Sequence, residues 1–206
     1  MIHAIVLAAG RSTRMGDDVQ KLLLPFGGET VVGRVVGELQ RSPIDRIHVV
    51  VGGADEDRVR EALADLSPDF VTNPDNTAEM LSSVRCGLKA LPAGCEAVVL
   101  ALGDQPTISS DLIVEMIDAF RGSERDIVVP VHDGRRGHPL LFSSRFREET
   151  LQSYDDVGLR GLLHAHPQQV HELQTADSSV LTDIDYPADY RRELERLDKA
   201  DEPRES

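Results

Sequence analysis

The 206-residue chain has no tryptophan, only 4% aromatic residues and two cysteines. So few rings leave no platform for stacking unpaired bases, as binders of single-stranded nucleic acid need. Cys86 and Cys95 do not form a Cys-x-x-Cys pair and are too few for a disulfide framework, so both read as reduced and structural. Positive charge is scarce as well: 22 Lys and Arg stand against 36 Asp and Glu, for a net charge of −14. That balance argues against a polyanion partner, whose binding depends on Lys and Arg contacts to phosphate. No apolar run reaches the roughly 20 residues needed to span a bilayer. The apolar opening, residues 1–10, is too short for a secretory signal and has no basic region before it. These absences point to a cytoplasmic protein with neither a nucleic-acid nor a membrane partner.

What is present is ordinary for a globular chain, with 40% hydrophobic and 28% charged residues. The length suits one domain with a substantial core, expected over residues 1–197. The almost wholly charged stretch 198–206 is expected to be a disordered tail. Short β-branched runs at Ile2–Leu7, Ile47–Val51, Phe70–Val71, Ala97–Leu102 and Ile127–Val131 read as strands buried on both faces. Helical spacing at Thr30–Gln40, Glu56–Leu66, Met80–Leu91 and Ser109–Phe120 falls between them, with Ser109 and Ser110 placed to cap the last. This alternation predicts an α/β fold: a mostly parallel central sheet with helices on both faces. Further on, Gly134–Pro139 suggests a hairpin-like loop before apolar Leu140–Phe142. Short helices are expected near Arg145–Leu151 and Leu159–Ala165, a late strand at Val170–Leu173 and a charged helix over Tyr186–Leu197. His164, His166 and His171 are spaced as surface residues and not as a metal cluster.

In sheets of this kind ligands bind beyond the carboxyl ends of the strands, which directs attention to the loops after the first and fourth strands. The first reads Leu7-Ala-Ala-Gly10-Arg-Ser12-Thr-Arg14-Met-Gly16, leading on to Lys21. Gly10 and Gly16 would let backbone N–H groups approach anionic oxygens, and Arg14 and Lys21 add charge for a phosphate chain. This is not a P-loop, because Met15 stands where the second glycine is required, and Arg11-Ser12 breaks the dinucleotide fingerprint. The second loop reads Leu102-Gly-Asp104-Gln105-Pro106. On the residues alone Asp104 can hold Mg²⁺, which takes one or two carboxylates plus substrate phosphates, or can form the turn before Pro106.

Together these motifs resemble the MobA-like NTP transferases, the nucleotidyltransferase family that includes the molybdenum cofactor guanylyl- and cytidylyltransferases. Gly103-Asp-Gln-Pro and Leu7-Ala-Ala-Gly look like the CTP-using branch. Lys21-Leu-Leu-Leu-Pro-Phe-Gly-Gly, Met80-Leu-Ser-Ser-Val-Arg-Cys-Gly-Leu, Arg136-Gly-His-Pro-Leu-Leu-Phe and Thr182-Asp-Ile-Asp-Tyr-Pro follow in the family's order. The sequence departs from the family at Glu79, where many relatives have glycine, and in a longer loop at 17–20.

The resemblance implies a Rossmann-like, three-layer α/β/α nucleotidyltransferase fold. It implies an enzyme, with CTP as nucleotide donor, molybdopterin carrying molybdenum as phosphorylated acceptor, and Mg²⁺ as cofactor. A molybdenum hydroxylase is a possible recipient of the product. Arg14, Lys21 and Asp104 would be catalytic, with Leu7, Ala8, Ala9, Gly10, Ser12, Ser82 and Ser83 joining them at the nucleotide. Gln105, Arg136, Gly137, His138 and Pro139 would face the acceptor, and Asp104 with Asp185 would hold the metal. Asp185 is equally well placed to cap the helix near Pro187. Three alternatives stay open: GTP or a sugar or polyol phosphate as substrate, a non-catalytic molybdopterin-binding accessory protein, and a glycosyltransferase. The lack of an Asp-x-Asp after the fourth strand counts against the last.

Overall fold

A computed structural model describes residues 1–10, 15, 20–75 and 79–201, with side chains described to residue 197. In chain order the strands and α-helices are β1 (Ile2–Leu7), β2 (Pro25–Phe26), β3 (Glu29–Thr30), α1 (Val31–Gln40), β4 (Arg46–Val51) and α2 (Glu56–Ala62). Then come β5 (Asp69–Thr72), α3 (Met80–Ala90), β6 (Ala97–Leu102), α4 (Ser110–Gly122), β7 (Ile127–His132) and β8 (Arg135–Arg136). The chain finishes with β9 (Leu140–Ser143), α5 (Arg147–Gln152), α6 (Arg160–Ala165), β10 (Val170–Gln174) and α7 (Pro187–Asp201). The charged helix thus runs to Asp201, and the remainder of the expected tail, 202–206, lies outside the described residues.

The main sheet has eight strands in the order β10-β7-β9-β6-β1-β4-β5, with β8 paired to β7. Neighbours β6, β1, β4 and β5 are parallel, as are β7 and β10. β9 runs antiparallel between β6 and β7. Both faces are covered, and the strand pleat divides them. Ile2, Ala4 and Val6 of β1 enter one core with Val32, Val36 and Leu39 of α1 and Ile113 and Ile117 of α4. Ile5 points the other way, into a core with Val84 and Leu88 of α3 and Leu162 of α6. In β6, Ala97, Val99 and Ala101 face the first core and Val98 and Leu100 the second. The period of two explains why these strands read as continuous apolar runs. The three-layer α/β/α architecture is the one the alternation predicts.

Local chemistry fixes the helix ends. Thr30 Oγ1 accepts the Gly33 N–H at 3.0 Å at the start of α1, and Ser109 Oγ accepts the Leu112 N–H at 3.2 Å at the start of α4. Thr30→Ala should therefore cost about 1 kcal/mol, read as a lower urea midpoint at unchanged slope. The expected helix Glu56–Leu66 is shorter in the fold. α2 ends at Ala62, a 3₁₀ turn covers Ala64–Leu66, and Ser67 takes a left-handed φ of 48° that closes the segment toward β5.

At the amino-terminal edge of the sheet, opposite the loops of interest, two buried histidines meet. His3 Nδ1 and His48 Nε2 share a hydrogen bond at 3.0 Å, and the rings stack at 5.3 Å. Burial holds both imidazoles below their usual range, against the pull of Asp45 and Asp69 on His3 and of Asp69 on His48. Arg46 and the chain amine also weigh against charge on His3. A histidine whose folded pKa is depressed loses stability as pH falls, because the unfolded chain takes the proton first. Stability should decline below about pH 6.5, and a His3→Leu/His48→Leu protein should show a flatter decline in denaturation series. Equal slopes would rule the pair out as the cause.

Candidate active site

A cleft of about 330 Å³ opens at the carboxyl ends of β1 and β6. Its position follows from the topology. The chain goes from β1 to β4 and β5 on one side and returns to place β6 on the other, so the loops after β1 and β6 part at that point. Gly103 makes the junction tight: its N–H donates to Leu7 O at 3.0 Å, and a Cβ there would lie 2.8 Å from that oxygen.

Three charged side chains converge in this cleft. Lys21 opens the short 3₁₀ turn Lys21–Leu23 and is largely buried, with its side chain 12% exposed. Its Nζ donates to Asp104 Oδ2 at 2.6 Å and to Asp185 Oδ1 at 2.8 Å. Asp104 and Asp185 are far apart in sequence, and the backbone joins them, since the Ile184 N–H donates to Asp104 O at 3.0 Å. Burial pulls the Lys21 ammonium down, but Asp104 and Asp185 more than offset this and hold it above the usual lysine range. Asp185 does not cap α7. That role falls to Asp189, whose Oδ2 accepts the Tyr186 N–H at 2.9 Å and the Asp185 N–H at 3.3 Å, leaving the Asp185 carboxylate to the cleft.

A third carboxylate, Asp183, lines the same space. Burial, Asp104 and Asp185 all push it above the usual carboxyl range. The sequence reading did not single it out, although the repeated acid in Thr182-Asp-Ile-Asp was the available signal. Leu7, Ala9 and Gly10 line the opposite wall with Ser83, Asn73 and Met80. Gly10 has no left-handed φ, and among the described residues nothing lies within 4 Å of where its Cβ would be. Ala8 is buried in the core, with its N–H tied to Val50 O at 2.8 Å. Asn73, also not singled out, is buried after β5, and its Nδ2 reaches Ser82 Oγ at 3.2 Å and Ser83 Oγ at 3.0 Å. Arg85, which opens toward this region in sequence, turns instead to Asp155 and the carbonyls of Thr150 and Ser153. Ser12 and Arg14 lie outside the described residues.

The residues expected to face an acceptor lie in different environments. Gln105 is 3% exposed, and its Oε1 is buried with no hydrogen-bond partner among the described residues. His138 Nδ1 is likewise covered and has no partner among them. Burial lowers the basicity of its ring against the pull of Asp104. Its N–H donates to Val180 O at 2.8 Å, and Gly137 packs against that same carbonyl. The next bond, His138–Pro139, is cis, and Pro139 is buried. Arg136 is on the surface, paired with Glu172 of β10 at 2.8 Å. Of the three nearby histidines, His164 is exposed, while His171 and His166 are half-buried and His166 contacts Glu149 at 2.9 Å. Both cysteines are free.

The donor set suits a hard divalent cation. Two carboxylates from separate chain segments meet at one point, and Mg²⁺ is usually held by one or two carboxylates with substrate phosphates and water completing the shell. Among the described residues no group of three or more His, Cys, Asp or Glu is arranged to hold a metal alone. Among the same residues, no helix is long and apolar enough to cross a membrane.

Comparison with known proteins agrees with this geometry. Residues 4–170 match the model of the MobA-like NTP transferase domain. The chain is 29% identical to the molybdenum cofactor cytidylyltransferase of Escherichia coli over 196 residues, covering 95% of this chain and 96% of that protein. It is 37% identical to the bifunctional protein GlmU of Azotobacter vinelandii over 141 residues, 65% of this chain but only 30% of that longer protein. Rv0371c from Mycobacterium tuberculosis H37Rv superposes with a TM-score of 0.82 at 34% identity, over 94% of this chain and 97% of that one. A structure of Rv0371c in complex with manganese superposes at 0.78 and 33% identity, over 94% and 98% of the two chains. With a charged cleft at the β1–β6 switch and a family match over most of its length, the chain belongs to the MobA-like NTP transferase domain family and is a nucleotidyltransferase.

Proposed function

We propose that this protein transfers CMP from CTP to a phosphorylated acceptor, molybdopterin carrying molybdenum, and releases pyrophosphate. The observation that carries the reading is the convergence of Lys21, Asp104 and Asp185 in one cleft. Similarity along nearly the whole length of the E. coli molybdenum cofactor cytidylyltransferase supports the choice of donor and acceptor.

The chemistry requires little beyond placement and charge. An acceptor phosphate oxygen attacks the nucleotide α-phosphorus in line with the departing pyrophosphate. Because that oxygen is already anionic, no strong general base is needed, and the rate comes from orientation and electrostatics. Asp104 and Asp185 would hold Mg²⁺, which would supply charge neutralisation at the phosphates. Lys21 offsets charge on the leaving group, and the backbone at Gly10 accepts the phosphate chain. The base and ribose lie along the Asn73–Ser83 wall.

The test is pyrophosphate release from each ribonucleoside triphosphate with Mg²⁺, with and without molybdenum-loaded molybdopterin. Release with CTP that depends on the pterin is the expected result. Pterin binding without turnover of any nucleotide would favour a carrier, and release with a sugar or polyol phosphate would reassign the acceptor.

A further inference from the structure

The site places an ammonium where the proposed metal belongs. Lys21 Nζ lies 2.6 Å from Asp104 Oδ2 and 2.8 Å from Asp185 Oδ1, between the two carboxylates. A Mg²⁺ ion held by the same pair would sit about 2.1 Å from each oxygen, in nearly the same volume. An ammonium and a divalent cation cannot share that volume, so one must leave before the other enters. Lys21 is also largely buried, and a buried cation that loses its carboxylates needs another anion at once. The phosphates of a bound nucleotide are the anions the cleft is shaped to admit.

We propose that Lys21 is the placeholder for the metal. In the empty enzyme it keeps Asp104 and Asp185 together and limits repulsion among these two and Asp183. A metal–nucleotide complex then exchanges with it: the cation takes the carboxylates, and the ammonium passes to the phosphates. Metal and nucleotide consequently bind as a unit, and the free cation competes poorly for a site the lysine already fills. This inference rests on the reading of Asp104 and Asp185 as metal ligands.

The experiment is Mn²⁺ binding followed by the paramagnetic resonance signal of the free ion, with and without a non-hydrolysable CTP analogue. The natural protein is expected to bind Mn²⁺ at least about tenfold more tightly with the analogue, within the usual range of coupling between sites. Lys21→Met should bind Mn²⁺ alone about tenfold or more tightly than the natural protein. Affinity for Mn²⁺ alone that is unchanged or weaker in Lys21→Met overturns the exchange. Asp104→Asn separates the two ideas. If it leaves Mn²⁺ binding intact, the metal reading itself fails; if it abolishes binding while Lys21→Met changes nothing, only the exchange fails. Should Lys21→Met not fold, the lysine ammonium resonance of the natural protein gives the answer. It should hold its position with Mg²⁺ alone and move with Mg²⁺ plus the analogue, and a resonance unmoved by the complex overturns the proposal.

Discussion

Asp104→Asn is expected to lower kcat by about a thousandfold and to leave the protein folded. A metal-held charge contributes several kcal/mol to a transition state, and about 1.4 kcal/mol corresponds to each factor of ten. The amide keeps the size of the side chain, so the loss would be electrostatic and not a matter of packing. Stability should change little. Lys21 loses one partner, but it retains Asp185 at 2.8 Å, and the repulsion that pushes Asp183 upward is relieved. The measurement is steady-state pyrophosphate release over a Mg²⁺ series, beside a urea denaturation curve. Turnover within tenfold of the natural protein, at unchanged Mg²⁺ dependence, would remove Asp104 from the reaction.

The second large effect is steric. A Cβ on Gly137 would lie 2.2 Å from Val180 O and 2.7 Å from Val180 C. Both are backbone atoms, so no rotamer change can relieve the clash. Gly137 is itself pinned, its N–H donating to Pro130 O at 2.8 Å. Gly137→Ala should therefore force the turn at Ser178–Leu181 outward and cost about 3 kcal/mol. That turn leads into Ile184, whose N–H sets Asp185 beside Asp104, so kcat should fall as well. Gly122→Ala makes the contrast: at the end of α4 nothing among the described residues lies within 4 Å of where a Cβ would be. There the same change should stabilise by up to about 1 kcal/mol. Equal midpoints for the two variants in urea would contradict the packing argument.

Much of this fold was legible because the local signals were strong and agreed. β1 and β6 are nearly continuous β-branched or apolar runs, and both proved buried on both faces. Ser109 carries the capping oxygen that its position suggested, whereas Thr30, read as the first helical residue, proves to be the cap of α1. The place of β9 was not legible. Leu140–Phe142 has the same apolar character whether it pairs in parallel or antiparallel, and only the hairpin through 133–139 turns it back between β6 and β7. In the site, the motifs gave Lys21, Asp104 and Asp185 by residue type and order. That one ammonium joins two carboxylates from opposite ends of the chain is a tertiary fact, fixed by the Ile184–Asp104 backbone bond. Asp183 and Asn73 were missed for a similar reason. In an extended segment Asp183 and Asp185 share a face, but nothing local says which face the cleft takes. Asn73 acts through Ser82 and Ser83, across a segment whose residues 76–78 are not described. Arg136 shows the opposite problem: in sequence it adjoins His138, yet β8 carries it to Glu172.

The seam between β1 and β6 has a consequence for how such a protein can diversify. One wall of the cleft comes from residues before α3 ends, and the wall with Leu102, Asp104, Asp183 and Asp185 comes from residues after it. The two stretches meet in the sheet along the register from Ile2–Ala97 to Leu7–Leu102, and across the cleft through Lys21. A recombination event that exchanges the later stretch must respect the β1–β6 boundary, preserve the ion cluster, and match the two shared cores and the Arg85 contacts. Lineages can thus inherit one wall unchanged while the other drifts toward a new molecule.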